Sequence, residues 1–164
     1  MARIAVLTAS DQGAAGRRED RSGAIIDERC GEAGHQVVRR ELVADDRTRI
    51  ARILAAWCDE GLADIILTTG GTGLTSRDVT PEATRDIAER DVPGIPFALA
   101  VGGLAKTPLA ALTRGIAVTR GKTLIVNLPG SPKAVSEGLD VLLPLLGHVA
   151  DLLAGPVEHD VAGS

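Results

Sequence analysis

One stretch, Thr68 to Thr84, reads TTGGTGLTSRDVTPEAT and limits the possible folds more than any other part of the chain. Before it, Asp64, Ile65, Ile66 and Leu67 form a short apolar, β-branched run suited to a buried strand. After it, Thr80 as N-cap and Pro81 at the first helical position open a helix. A loop held between a buried strand and a helix is where an open α/β sheet binds its ligands. Gly70, Gly71 and Gly73 let the backbone approach a ligand closely and turn N–H groups into a concavity suited to phosphate. Thr69 and Thr72 add hydroxyl donors, and Asp78 adds a carboxylate able to hold a metal ion or orient a nucleophile. Taken alone, the glycines equally suit a tight connection, and Asp78 equally suits an anion near a helix N-terminus.

The rest of the chain alternates strands with helices. Residues 3–9 read as a strand, with Ile4, Ala5, Val6 and Leu7 giving the continuous apolar run of a sheet covered on both faces. It ends at Ser10 and Asp11, and DQGAAGRRED follows as a polar loop. A helix over 22–32 points Ile25, Ile26, Cys30 and Ala33 inward and stops at Gly34. Residues 35–43 read as a strand with Asp45 at its end. The helix over 46–60 repeats Ile50, Ile53, Leu54, Trp57 and Cys58 at i, i+3, i+4, i+7 and i+8, and one of Asp45 and Asp46 is its N-cap. A strand over 64–69 leads into the opening motif, and its helix runs over 81–89. The segment 92–112 is least legible: PGIP is a turn, 98–101 suits a helix, and Gly102, Gly103 and Pro108 break it.

Residues 116–118 and 123–127 read as a hairpin at the sheet edge, joined near Arg120 and Gly121. The second strand delivers NLPGSPK, Asn127 to Lys133. Pro129 and Gly130 turn the chain, Ser131 caps a helix that Pro132 begins, and Lys133 offers a mobile charge to a phosphate. The same residues are also simply a well-made helix start. The last helix presents a wide apolar face from Val135 to Leu153, kinked at Pro144, and 155–164 is a loose tail.

The fold expected is a single-domain, doubly wound, mostly parallel α/β sheet over 1–154, with helices on both faces and a short antiparallel edge. Ser10, Asp11, Asp45, the glycine loop and NLPGSPK all follow strands, so a parallel core gathers them at one rim. At 164 residues one domain suffices. A net charge of −4, one Phe, one Trp and no Tyr argue against nonspecific nucleic-acid binding and against a base-stacking platform. The N-terminus MARIAVLTASD is neither signal peptide nor membrane span, which predicts a cytoplasmic protein without a membrane partner. Cys30 and Cys58 lack metal or disulfide spacing and read as reduced core thiols. His35, His148 and His159 are scattered and none reads as a catalytic base.

As a whole, the opening stretch resembles the signature of the MogA/MoaB family of molybdenum-cofactor biosynthesis proteins, which also supply the G domain of gephyrin. NLPGSPK is a second match, and Ser10 and Asp11 followed by Asp20, Arg21, Ser22 and Gly23 are a third; the resemblance runs from about Arg3 to about Leu153. It implies a molybdopterin-binding fold and adenylylation of molybdopterin from Mg-ATP with release of pyrophosphate. It implies Asp45 and Asp78 as the catalytic and Mg²⁺-binding carboxylates. It further implies Ser10, Asp11, Thr69, Gly70, Gly71, Thr72, Gly73 and the residues Asn127, Pro129, Gly130, Ser131, Pro132 and Lys133 as substrate or nucleotide contacts. Relatives usually form trimers, so a homotrimer or dimer of trimers is implied, with a molybdenum-insertion enzyme as a partner. Relatives often carry a Glu and an Arg where this chain has Phe97 and Ala100. That departure keeps a non-catalytic molybdopterin-binding scaffold open beside the enzyme, and a CinA-like pyrophosphatase shares the fold.

Overall fold

The computed structural model describes residues 1–156; most of the tail and His159 lie outside the described residues. At its centre are three strands, β1 (Arg3–Ala9), β3 (Ile65–Thr69) and β6 (Thr123–Leu128), buried at nearly every position. They are parallel and in register, Ile4 opposite Ile65 and Ile65 opposite Leu124. Parallel strands covered on both faces need apolar side chains at consecutive positions, which is why these segments read as unbroken runs. Outside β1 lies β2 (Gln36–Val43), also parallel. On the other side β5 (Ala117–Arg120) and β4 (Arg90–Asp91) are antiparallel, giving the order β2-β1-β3-β6-β5-β4.

Alternate residues of each central strand feed two separate cores. On one face, Ile4, Val6, Ile65, Leu67, Leu124 and Val126 meet Ile26 and Cys30 of α2 (Arg21–Glu32) and Val135, Leu139, Leu142 and Leu146 of α6 (Pro132–Ala154). On the other, Ala5, Leu7, Ile66 and Ile125 meet Ile50, Leu54 and Trp57 of α3 (Arg47–Asp59) and Ala83 of α4 (Thr80–Asp86). Cys30 and Cys58 are both buried and unbridged, and burial pushes each thiol up to about 11.

Several local expectations are corrected. The loop after β1 holds a helical turn, α1 (Asp11–Ala14), capped by the Ser10 hydroxyl accepting from the Gly13 N–H at 3.0 Å. Of the two aspartates before α3, Asp46 is the cap, accepting from the Arg49 N–H, which leaves Asp45 available for other contacts. Thr80 is not a cap: its N–H donates to the Gly71 carbonyl at 3.1 Å and its side chain is fully buried inside α4, with Val79 at the cap position. That helix ends at Asp86 rather than near Glu89, because the Glu89 and Val92 N–H groups donate to Thr119 and Ala117 and draw this stretch to the sheet edge. Ala33 is exposed at the end of α2. Helix α5 (Gly94–Leu104) runs through Gly102 and Gly103. A β-carbon there would lie 3.0 Å from Val141 or 2.7 Å from Ala110, so these glycines permit close packing rather than break the helix. A 3₁₀ turn, Pro108–Leu112, follows, and α6 continues past Pro144 to Ala154.

Candidate functional site

The carboxyl ends of β1, β2, β3 and β6 lie on one rim, since Ala9 pairs with Val43, Thr8 with Thr69, and Thr69 with Leu128. Past each end the chain turns outward. Asp11 and Asp45 exchange hydrogen bonds there: each backbone N–H donates to the other's carboxylate at 3.0 Å. The bond from Asp11 falls on Asp45 Oδ2, and Asp45 Oδ1 is buried without a partner. Gly70 and Gly71 both have positive φ, 89° and 69°. A β-carbon on Gly70 would stand 2.3 Å from the Ala9 carbonyl, and one on Gly71 would meet Thr80 Oγ1 at 2.2 Å and Asp45 Oδ1 at 3.2 Å. Only glycine fits either position. A β-carbon on Gly130 would lie 3.3 Å from Gly70 Cα, so the glycine loop and NLPGSPK touch.

These turns enclose a polar cleft of ≈ 750 Å³ lined by Ser10, Asp11, Asp45, Thr69, Gly70, Gly71, Asp78, Gly130, Ser131 and Pro132, with Arg18, Arg21 and Arg77 along its edge. Burial raises the pKa of Asp45, the charges of Asp11 and Asp78 push the same way, and the Asp11 N–H and Arg77 oppose them. Asp11 is held below the usual carboxylate range, chiefly by the Arg77 guanidinium, whose Nε and Nη2 donate to it at 2.8 and 3.0 Å. Asp78 accepts from the Thr75 N–H at 2.9 Å and hydroxyl at 2.8 Å, both on Oδ2. Among the described residues no group of three or more His, Cys, Asp or Glu side chains clusters to hold a metal. A cation here would therefore take ligands from substrate phosphates, as Mg²⁺ does in nucleotide sites, and the orphaned Asp45 Oδ1 is a donor suited to it.

Next to the cleft lies a second chamber of ≈ 380 Å³, mostly apolar, between α5, the 108–112 turn and the start of α6. It is lined by Pro96, Leu99, Leu109, Ala110, Thr113, Gly115, Asn127, Pro129, Lys133 and Glu137, and Ser131 borders both spaces. NLPGSPK is thus divided, with Gly130 and Pro132 on the cleft, Asn127, Pro129 and Lys133 on the chamber, and Ser131 between. Ser131 also caps α6, accepting from the Ala134 N–H at 3.2 Å. Phe97 and Ala100 line neither space.

Thr69 lines the cleft and Asn127 the chamber, and each is also hydrogen-bonded within the protein. Thr69 Oγ1 donates to the Pro129 carbonyl at 2.6 Å, while Thr72 is buried and lines neither space. The Asn127 amide donates to Thr68 and Thr84 hydroxyls, both at 3.0 Å, and accepts from the Ile116 N–H at 3.2 Å. Gly73 lines neither space; a β-carbon there would meet Asp78 Oδ2 at 2.9 Å, so it gives room to that carboxylate. Arg114 escaped sequence analysis. Its backbone N–H donates to the Thr72 carbonyl at 3.0 Å, its Nε to Gly73 at 2.8 Å, and its Nη2 to the Asp78 carbonyl at 2.9 Å, while Nη1 pairs with Glu82. No local pattern signals this, because the partners lie 32 to 42 residues away.

An α/β domain with a glycine loop, paired carboxylates and an apolar chamber at the carboxyl ends of its strands is a small-ligand-binding domain. Residues 5–148 match the family model described as "Probable molybdopterin binding domain", and the chain belongs to that family. It is 40% identical over 154 residues to a molybdopterin adenylyltransferase of Helicobacter pylori (strain J99), covering 93% of this chain and 88% of that one. It is 35% identical to the molybdopterin adenylyltransferase of Escherichia coli (strain K12) over 149 residues, 90% of this chain and 76% of that one. The crystal structure of the molybdopterin biosynthesis enzyme MoaB from Thermus thermophilus superposes with a TM-score of 0.89 at 47% identity, covering 95% of this chain and 98% of that one.

Because Asn127 joins β6 to β3 and α4, Asn127→Ala leaves buried donors and acceptors unmatched and should lower stability by about 1–3 kcal/mol in urea unfolding. A change below about 0.5 kcal/mol would contradict that structural role.

Proposed function

We propose that this protein is a molybdopterin adenylyltransferase of molybdenum cofactor biosynthesis, transferring AMP from Mg-ATP to the terminal phosphate of molybdopterin. The observation that carries this reading is the junction at Ser131 of a polar, carboxylate-edged cleft with an apolar chamber. Molybdopterin has a flat ring system at one end and a phosphate at the other. Its ring suits the chamber, beside Pro129 and Lys133, and its phosphate then reaches the cleft. The position of Phe97 and Ala100 outside both spaces supports an enzyme over a binding scaffold.

In this reading the backbone N–H groups of Gly70 and Gly71 receive phosphate oxygens without side-chain obstruction. Ser10 hydroxyl, Gly130 and the α6 N-terminus at Pro132 complete the anion-binding wall, and Arg18 and Arg21 balance charge. Asp45 Oδ1 and Asp78 are the residues that would hold Mg²⁺, which when bound supplies charge neutralisation on the phosphates. Asp11 keeps Asp45 in place, and its own charge is balanced by Arg77. An oxygen of the molybdopterin terminal phosphate attacks the α-phosphorus of ATP. The bond from that phosphorus to the oxygen bridging the β-phosphate breaks, and pyrophosphate leaves with the electron pair. The adenylylated product then serves a molybdenum-insertion enzyme.

The reading includes a homotrimer, or a dimer of trimers. Helix α5 is apolar around its whole circumference, yet Ile95 is its only buried residue and Phe97 is 72% exposed. Helices of that composition are ordinarily covered. Val101, Leu104, Leu109 and Leu112 extend the exposed apolar surface, which supports a contact between copies.

Asp45→Asn and Asp78→Asn should each lower turnover by about 100-fold or more in a purified assay of ATP plus molybdopterin, with unchanged melting temperature. Wild-type rates in either variant would remove that carboxylate from the reaction. Because Asp45 binds its proton more tightly than an ordinary aspartate, acid should weaken Mg²⁺ binding at a pH above the ordinary value of 3.8. Titration of Mg-ATP binding against pH should show that limb in wild type and lose it in Asp45→Asn; the same limb in both would reassign it.

A further inference from the structure

The segment carrying Asp78 is tied to the apolar chamber by one side chain. Arg114 stands between Thr113 and Gly115, which both line the chamber. From there its backbone and guanidinium reach the Thr72, Gly73 and Asp78 carbonyls and the Glu82 carboxylate, spanning the exposed run Leu74 to Arg77. Asp78's own hydrogen bonds otherwise stay within its turn, to Thr75. The neighbouring Arg77 anchors the other side of the turn to Asp11. Asp78 is therefore held between an anchor in the cleft and an anchor on the chamber wall.

We infer that Arg114 is a positioning residue that sets Asp78 according to whether the chamber is filled, so that ring ligand and Mg-ATP bind cooperatively. The inference rests on the adenylyltransferase reading, in which the two spaces hold the two substrates. A ring seated against Thr113 and Gly115 restrains the peptide that carries Arg114. The planar guanidinium, with donors in a rigid fork, passes that restraint to the Gly73 and Asp78 carbonyls. Tightening this already anchored turn before the nucleotide arrives leaves less freedom for ATP binding to remove, and by linkage the nucleotide favours the ring to the same degree. Lysine keeps the charge opposite Glu82 but, as a point charge, cannot hold both carbonyls. Glu82→Gln instead leaves both carbonyl bonds and removes only a partly exposed ion pair.

The experiment compares wild type, Arg114→Lys and Glu82→Gln for melting temperature, kcat, KM for ATP, and affinity for Mg²⁺ with a non-reactive α,β-methylene ATP analogue, with and without molybdopterin. Wild type should bind the analogue about 5-fold or more tighter when molybdopterin is present. Arg114→Lys should keep its melting temperature and its affinity for molybdopterin alone, lose that enhancement, and fall about 10- to 100-fold in kcat. Glu82→Gln should stay within about 3-fold of wild type in kcat. Wild-type coupling and turnover in Arg114→Lys overturn the inference while leaving the enzyme assignment intact. So does a marked loss of melting temperature with both affinities, which makes Arg114 a fold contact, and so does an equal fall in Glu82→Gln. Absence of adenylylated product from wild type overturns the enzyme assignment itself.

Discussion

The site depends on the reciprocal hydrogen bonds between Asp11 and Asp45, backbone N–H to carboxylate in both directions. They fix the exits of two neighbouring parallel strands to each other. They also divide Asp45 into an oxygen that is engaged and an oxygen that is not. Two carboxylates this close repel, and the Arg77 fork resolves the conflict by taking up the charge of Asp11. The protonation equilibria diverge accordingly, Asp11 downward through Arg77 and Asp45 upward through burial. One is a brace paired with Arg77, and the other keeps an oxygen without a partner.

Around that brace the fold makes two unlike chambers from one rim. Gly70 approaches Ala9 too closely for any side chain, and Gly130 packs against Gly70, so two loops far apart in sequence share a wall. Thr69 seals the wall by donating to Pro129, and Ser22 does the same for Gly130 at 2.7 Å. On one side the exposed groups are amides, carboxylates and arginines; on the other they are α5 and the 108–112 turn. In the proposed reading, a substrate with a phosphate at one end and a flat ring at the other would meet polar groups at the first and an apolar wall against the ring face at the second.

Two central strands were legible because a strand buried on both faces must be apolar throughout, and Ile4 to Leu7 and Ile65 to Leu67 satisfy that without relief; Leu124 to Val126 read as part of an edge hairpin, but β6 also pairs with β3 and lies inside the sheet. The cap at Ser131 and the cap at Asp46 were legible too, as local chemistry, although nothing local distinguished Asp46 from Asp45. What escaped was decided by distant partners. Thr80 and Pro81 make a good helix start, but the Gly71 carbonyl takes the Thr80 N–H and draws the hydroxyl inside. Gly102 and Gly103 look like breaks and are contacts; Arg90 and Asp91 form a strand only because β5 offers an edge. Within the site, sequence brought these loops to one rim but gave no sign of which polar side chains are also bonded to the scaffold. Thr69 and Asn127 border the two spaces and are so bonded, and Arg114 has no signature short of its partners.

The most direct measurement is a crystal structure after soaking with Mg²⁺, molybdopterin and the α,β-methylene ATP analogue. Phosphate oxygens should lie on the Gly70 and Gly71 amides, the cation on Asp45 Oδ1, and the pterin between α5 and Pro129. Nucleotide bound away from this rim, or a cation that Asp45 does not touch, would contradict it.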